Sequence, residues 1–203
     1  MKCTPPKVDV KVVVLGKEFA GKTALVERFL YDNFSITSYQ PTIGAAYGAR
    51  QIKNSKNQPI VIGIWDTAGS ERYQSMTKMY YRKAKAAILC YDLCDSVSYK
   101  RLDYWVKELR NTEPECLLYI CGCKKDLIQF DSNQRAVSEY VVNEFAKSLD
   151  AKVFETSSKT AEGIDSLFQT ICNNVSENPD FLSDATRKNI ELENQPKSTF
   201  KCC

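Results

Sequence analysis

Three observations predict an α/β fold with a mostly parallel sheet. Short apolar runs rich in β-branched residues recur along the chain. Segments with the apolar spacing of a helix separate most of them. The polar stretches able to do chemistry follow four of those runs, where open α/β sheets bind ligands beyond the carboxyl ends of their strands.

Residues 10–15 (VKVVVL) form the first buried strand and end at Gly16. Residues 22–31 place Leu25, Phe29 and Leu30 at helical spacing. Asn, Ser, Pro and Gly across 32–44 predict a loop. Residues 50–53 and 60–65 flank the polar stretch NSKNQP, a hairpin that adds one antiparallel strand. Residues 86–91 and 117–122 are further apolar strands, and 152–154 is a short last one. Residues 99–110, 138–149 and 164–175 read as amphipathic helices. Residues 178–203 are polar, lack periodicity and read as a flexible tail.

A chain of 203 residues, 43% hydrophobic and 26% charged, can bury one core of moderate size. Its net charge of +3, with both signs mixed along the chain, gives no support to nucleic acid binding. No apolar run reaches the roughly 18 residues of a membrane span, and MKCTPPKVDVK has no apolar signal core, so synthesis in the cytosol is expected. Nine cysteines do not read as a disulfide framework, because Cys90, Cys121 and Cys172 sit in apolar runs. Cys121 and Cys123 are the one close internal pair, and without histidine or a second CxxC they do not read as a zinc site.

After the first strand, GKEFAGKT at 16–23 fits GxxxxGK[ST]. Gly16, Glu18, Phe19, Ala20, Gly21, Lys22, Thr23 and Ala24 are the candidate phosphate-loop contacts. Backbone N–H groups in such a loop close around phosphate oxygens, and the helix that follows presents its N-terminus to the same charge. Lys22 neutralises β- and γ-phosphates, and the Thr23 hydroxyl ligates Mg²⁺. Asp66 follows a second strand and precedes Thr67-Ala68-Gly69. A carboxylate there suits Mg²⁺, and Gly69 lets its N–H approach a γ-phosphate with no Cβ in the way. Cys123-Lys124-Lys125-Asp126 follows a third strand. Asp126 can accept from guanine N1–H and N2–H₂, a pattern adenine lacks, while the Lys124 stem lies along the base. Ser157, Ser158 and Lys159 follow the last strand and close the base pocket with backbone N–H groups.

This order of motifs resembles the Ras-like small GTPases over residues 7–177, with a flexible stretch at 1–6 and the tail after it. IGAAY (43–47), SERYQSMT (70–77), YYRKAKA (80–86) and the terminal Cys202-Cys203 are similar to Rab signatures, closest to the atypical Rab twenty-four branch. The resemblance implies a P-loop NTPase G domain: a six-stranded, mostly parallel sheet with one antiparallel strand and helices on both faces. It implies a switch in vesicle traffic, autophagic or endosomal, that cycles between GTP and GDP with Mg²⁺. Thr42 becomes the γ-phosphate and Mg²⁺ sensor, so Thr23, Thr42 and Asp66 are the metal set. Lys22, Thr42, Gly69 and Ser70 become the catalytic set, and Tyr47, Trp65 and Tyr80 the effector triad. Geranylgeranyl groups on Cys202 and Cys203 are implied as the anchor to the cytoplasmic face of endomembranes. Effectors, an exchange factor, an activating protein and a prenyl-binding dissociation inhibitor are the implied partners of a monomer that divides between cytosol and membrane.

Three positions depart from that pattern. Ser70 stands where most Rabs carry a glutamine that orients the attacking water, and serine is too short to reach the same place. Glu18 occupies a phosphate-loop position usually held by a small residue. Cys123 replaces Asn or Thr and is a poor hydrogen-bond partner. Two readings follow: a slow GTPase, or a GTP-dependent membrane scaffold that does not hydrolyse. A P-loop kinase or ATPase is disfavoured by Asp126 and by the lack of a lid-like insertion.

Overall fold

The computed structural model describes residues 8–35, 42, 44–69 and 79–178. Its elements run β1 (Val10–Gly16), α1 (Lys22–Tyr31), β2 (Ala45–Lys53), β3 (Pro59–Thr67), β4 (Ala86–Asp92), α2 (Ser96–Lys100) and α3 (Leu102–Arg110). β5 (Leu117–Cys123), α4 (Lys125–Phe130), a 3₁₀ turn (Ser132–Gln134), α5 (Glu139–Ser148), β6 (Lys152–Glu155) and α6 (Ile164–Glu177) follow. The six strands lie in the order β2-β3-β1-β4-β5-β6. Every pairing is parallel except that of β2 with β3. The predicted sheet is therefore the observed one, with β2 as its antiparallel edge.

Alternation along β1 divides the core between the two faces of the sheet. Val10, Val12 and Val14 pack with Leu25 and Phe29 of α1 and with Phe168 and Ile171 of α6. Val13 and Leu15 pack with Trp105 and Leu109 of α3 and with Val142 and Ala146 of α5. Phe29 and Phe168 stack at 3.6 Å between ring centroids, fastening α1 to α6. Each large apolar side chain so buried contributes about 1.5–3 kcal/mol. Burial on both faces explains why β1, β4 and β5 read as continuous apolar runs.

Three boundaries differ from the sequence reading. The hairpin strands extend beyond 50–53 and 60–65, because the small residues Ala45, Ala46, Gly48 and Ala49 at the start of β2 give no β-branched signal yet pair along β3 up to Thr67. The helix expected over 99–110 starts at Ser96 and is divided at Arg101. Asp95 caps that start by accepting from the Val97 N–H at 2.9 Å, and the Ser98 hydroxyl bonds back to the Asp95 carbonyl at 2.7 Å. Helix α4, unforeseen, buries none of its residues, so it carries no apolar periodicity.

Parallel register brings the chemistry to one edge. Gly16 lies opposite Cys90, Val14 opposite Asp66, and Asp92 opposite Cys123. The loops after β1, β3, β5 and β6 therefore meet at the carboxyl ends of the strands.

Candidate functional site

The 16–23 loop wraps the Lys22 side chain. Lys22 Nζ donates to the carbonyls of Gly16 at 3.0 Å and Lys17 at 2.8 Å. The side chain is buried, and desolvation lowers its pKa, an effect that an anion beside it would oppose. Phe19 and Gly21 take left-handed backbone angles, φ 62° and 99°, which turn the loop over the start of α1. No side chain caps that start. The first backbone N–H groups of α1 are thus left for an anion, as expected from the motif. Ala20 and Ala24 are buried beneath the loop, whereas Phe19 is exposed. Lys17 pairs with Asp95 at 3.1 Å and ties the loop to the cap of α2, a contact the sequence did not suggest.

Thr23, Thr42 and Asp66 come together. The Thr23 hydroxyl donates to Asp66 Oδ2 at 2.7 Å and lies 3.1 Å from the Thr42 hydroxyl. Asp66 is almost completely buried, and its Oδ1 has no partner. Burial raises this carboxyl to about 6. An orphaned carboxylate oxygen beside two hydroxyls is an all-oxygen set that fits Mg²⁺. Gly69 presses on the loop from the other side. A Cβ there would fall 2.3 Å from Glu18 N and 2.5 Å from Lys22 Nζ, so no side chain fits. Glu18 itself is half-buried at this contact.

A cavity of about 310 Å³ opens beside the loop, lined by Gly21, Ala24, Phe34, Cys123, Lys124, Asp126, Leu127, Ser158 and Lys159. Asp126 Oδ1 accepts from the Ser157 hydroxyl at 2.6 Å, which fixes the carboxylate. Lys124, at φ 65°, pairs with Asp92 at 2.7 Å, so its stem runs along the cavity wall. Arg28 donates to the carbonyls of Ser158 at 2.7 Å and Lys159 at 3.1 Å, holding the 157–159 loop against α1. Phe34 escaped the sequence reading because it lies in a loop without periodicity.

Tyr47 and Trp65 are register partners on β2 and β3, their ring centroids 4.8 Å apart. Lys11 covers the Trp65 ring at 4.5 Å. Tyr80 is half-buried, its hydroxyl beside Gly44. Ser70, Cys202 and Cys203 lie outside the described residues, as do Ile43 and the whole of the 70–77 segment.

A GxxxxGK[ST] loop, a buried carboxylate–hydroxyl set and a cavity lined by Asp126, at one edge of this sheet, are the arrangement of a P-loop nucleotide-binding switch. Residues 11–177 match the Ras family, and the chain belongs to it. It is similar to the Ras-related protein Rab-24 of Dictyostelium discoideum, 40% identical over 206 residues, 98% of this chain and 100% of that protein. The GTP-binding protein ypt5 of Schizosaccharomyces pombe is 39% identical over 83% of this chain and 80% of its own. The Ras-related protein Rab-22A of Homo sapiens is 35% identical over 96% and 97%. These relatives identify a small GTPase of the Rab kind, a GTP-dependent switch of membrane traffic whose cofactors are GTP or GDP and Mg²⁺.

Proposed function

We propose that this chain is a slowly hydrolysing Rab switch, anchored by its C-terminus and engaged by effectors in its GTP state. Its G domain spans 7–177 and its tail 178–203. The observation that carries the reading is the buried Asp66 carboxylate, bonded to Thr23 through one oxygen and orphaned at the other.

Each residue has a role in this reading. Thr23, Thr42 and Asp66 hold Mg²⁺, which supplies charge neutralisation at the phosphates. Lys22 and the backbone of Gly16 and of residues 18–24 bind and orient the β- and γ-phosphates. The Gly69 N–H meets the γ-phosphate and couples its presence to the segment that follows. Asp126, braced by Ser157, selects guanine, with Lys124, Cys123, Ser158 and Lys159 completing the pocket. Ser70 cannot orient water as glutamine does, yet positioning and neutralisation supply most of phosphoryl-transfer catalysis, which supports a slow enzyme rather than a dead one.

Tyr47, Trp65 and Tyr80 form the effector surface. Two of the three already pack together on adjacent strands, where ordering of the flanking loops by GTP would alter their exposure. Autophagic or endosomal traffic is the proposed setting, supported by similarity to Rab-24. An exchange factor, an activating protein and a dissociation inhibitor complete the cycle. Loading purified protein with GTP and Mg²⁺ and following one turnover tests the proposal. Slow but complete conversion to GDP is expected; no conversion would instead favour the non-hydrolysing scaffold.

A further inference from the structure

Three cysteines from two neighbouring strands meet under the phosphate loop. Cys90 on β4 and Cys121 on β5 are register partners, and Cys123 follows two residues along β5 on the same face. The three sulfurs all lie within 4.8 Å of one another. Cys121 Sγ is 3.9 Å from Cys123 Sγ and 3.3 Å from the Thr156 hydroxyl. Three sulfurs around one ion at a metal–sulfur distance of about 2.3 Å sit ~4 Å apart, so little movement would be needed. Among the described residues no other Cys, Asp or Glu joins the group, and the chain has no histidine.

We infer that Cys90, Cys121 and Cys123 form a three-sulfur site for a soft, thiophilic cation, reached through the base cavity. The ligand set decides the class of ion. Zn²⁺ in a closed site takes four ligands, and only three sulfurs converge here. Soft ions of the Cu(I) and Cd²⁺ kind suit an all-sulfur, three-coordinate site. On binding, each coordinating thiol gives up its proton, and Lys22 is near enough to Cys90 and Cys123 to feel the resulting charge.

The route to the site follows from burial. Cys90 and Cys121 have no exposed surface, and Cys123 has 2%. Of the three, only Cys123 lines the cavity assigned to the base. A Cβ built on Gly21 would lie 3.0 Å from the Cys123 Cβ, so the phosphate loop rests on the same side chain. A bound nucleotide therefore covers the route to the sulfurs, which couples the rate of ion entry to nucleotide occupancy. This coupling rests on the base-pocket assignment; the thiolate site does not.

The test is a titration of the reduced full-length chain with Cd²⁺, without oxygen, read by sulfur-to-cadmium charge-transfer absorption. Cys202 and Cys203 are replaced by serine throughout to remove a competing pair. The expected result is about one tightly held Cd²⁺ per nucleotide-free chain, with the band lost in Cys121→Ala and in Cys123→Thr. Cys123→Thr installs a residue found there in the family, and its melting curve reports whether it folds. GDP loading should slow Cd²⁺ uptake at least about tenfold. A band that persists in folded Cys123→Thr, or a reduced, folded parent that binds no Cd²⁺, would overturn the site. Equal uptake with and without GDP would overturn the route through the cavity. Should GDP fail to bind the parent at all, the nucleotide reading fails while the stoichiometry still reports on the sulfurs.

Discussion

The Thr23 hydroxyl donates to Asp66 Oδ2 at 2.7 Å, joining the first turn of α1 to the end of β3 across 43 positions of sequence. Without a cation, one oxygen of a nearly inaccessible carboxylate has no partner. An orphan of that kind costs roughly 1–3 kcal/mol, more if charged. A bound Mg²⁺ would remove that cost.

Thr23→Asn removes a hydroxyl ligand and leaves Asp66 with a poorer partner. Mg²⁺–GTP affinity should fall roughly tenfold to a hundredfold, the effect of about 1.5–3 kcal/mol, with GDP affected less. Fluorescent-nucleotide titrations check this. Equal loss of both nucleotides with a lowered melting temperature would show that Thr23 serves the fold instead.

Mg²⁺ binding should weaken in mild acid. Burial raises the Asp66 carboxyl from 3.8 to about 6, and a protonated carboxyl does not ligate. Below that pH the Mg²⁺ affinity should fall about tenfold per unit. The sign for the metal-free fold is the reverse: the raised pKa costs stability above about 6, and the cost is relieved as pH falls towards 3.8. Mg²⁺ titrations of GDP-loaded protein between pH 5 and 7, beside melting curves without metal, test both signs.

Asp126→Asn replaces an acceptor pair with an amide while the Ser157 brace can remain. GTP binding should drop by roughly tenfold or more, and xanthine nucleotides, whose C2 oxygen accepts from the new amide, should gain. Unchanged GTP affinity would mean that the base lies elsewhere.

Membrane attachment should need both terminal cysteines. Residues 178–203 hold four basic and four acidic residues, so no polybasic patch assists. One lipid chain gives only marginal, reversible binding. Cys202→Ser/Cys203→Ser protein should move to the soluble fraction of cells; retention on membranes would refute the anchor.

Elements buried on both sides were legible in the sequence because burial writes a continuous apolar run. β1 was read to within one residue of its end, and α1 matched its observed span. That the 16–23 loop, Asp66 and Asp126 meet at one edge was legible because each follows such a run and a parallel sheet gathers strand ends. Long-range pairing was not legible. Neither the Lys17–Asp95 pair nor the meeting of Cys90 with Cys121 and Cys123 follows from spacing, since each depends on strand order. Helix α4 was missed for the opposite reason: six residues with none fully buried leave no apolar pattern.

Ser70 is proposed to make this GTPase slow without making it inert. Single-turnover GTP hydrolysis by the parent, Ser70→Gln and Glu18→Ser/Ser70→Gln tests it most directly. The parent should hydrolyse slowly, and Ser70→Gln should be faster by about tenfold, equivalent to ~1.4 kcal/mol of barrier. A gain confined to the double variant would assign the brake to Glu18. A parent with no turnover, or two variants no faster than the parent, would contradict the account.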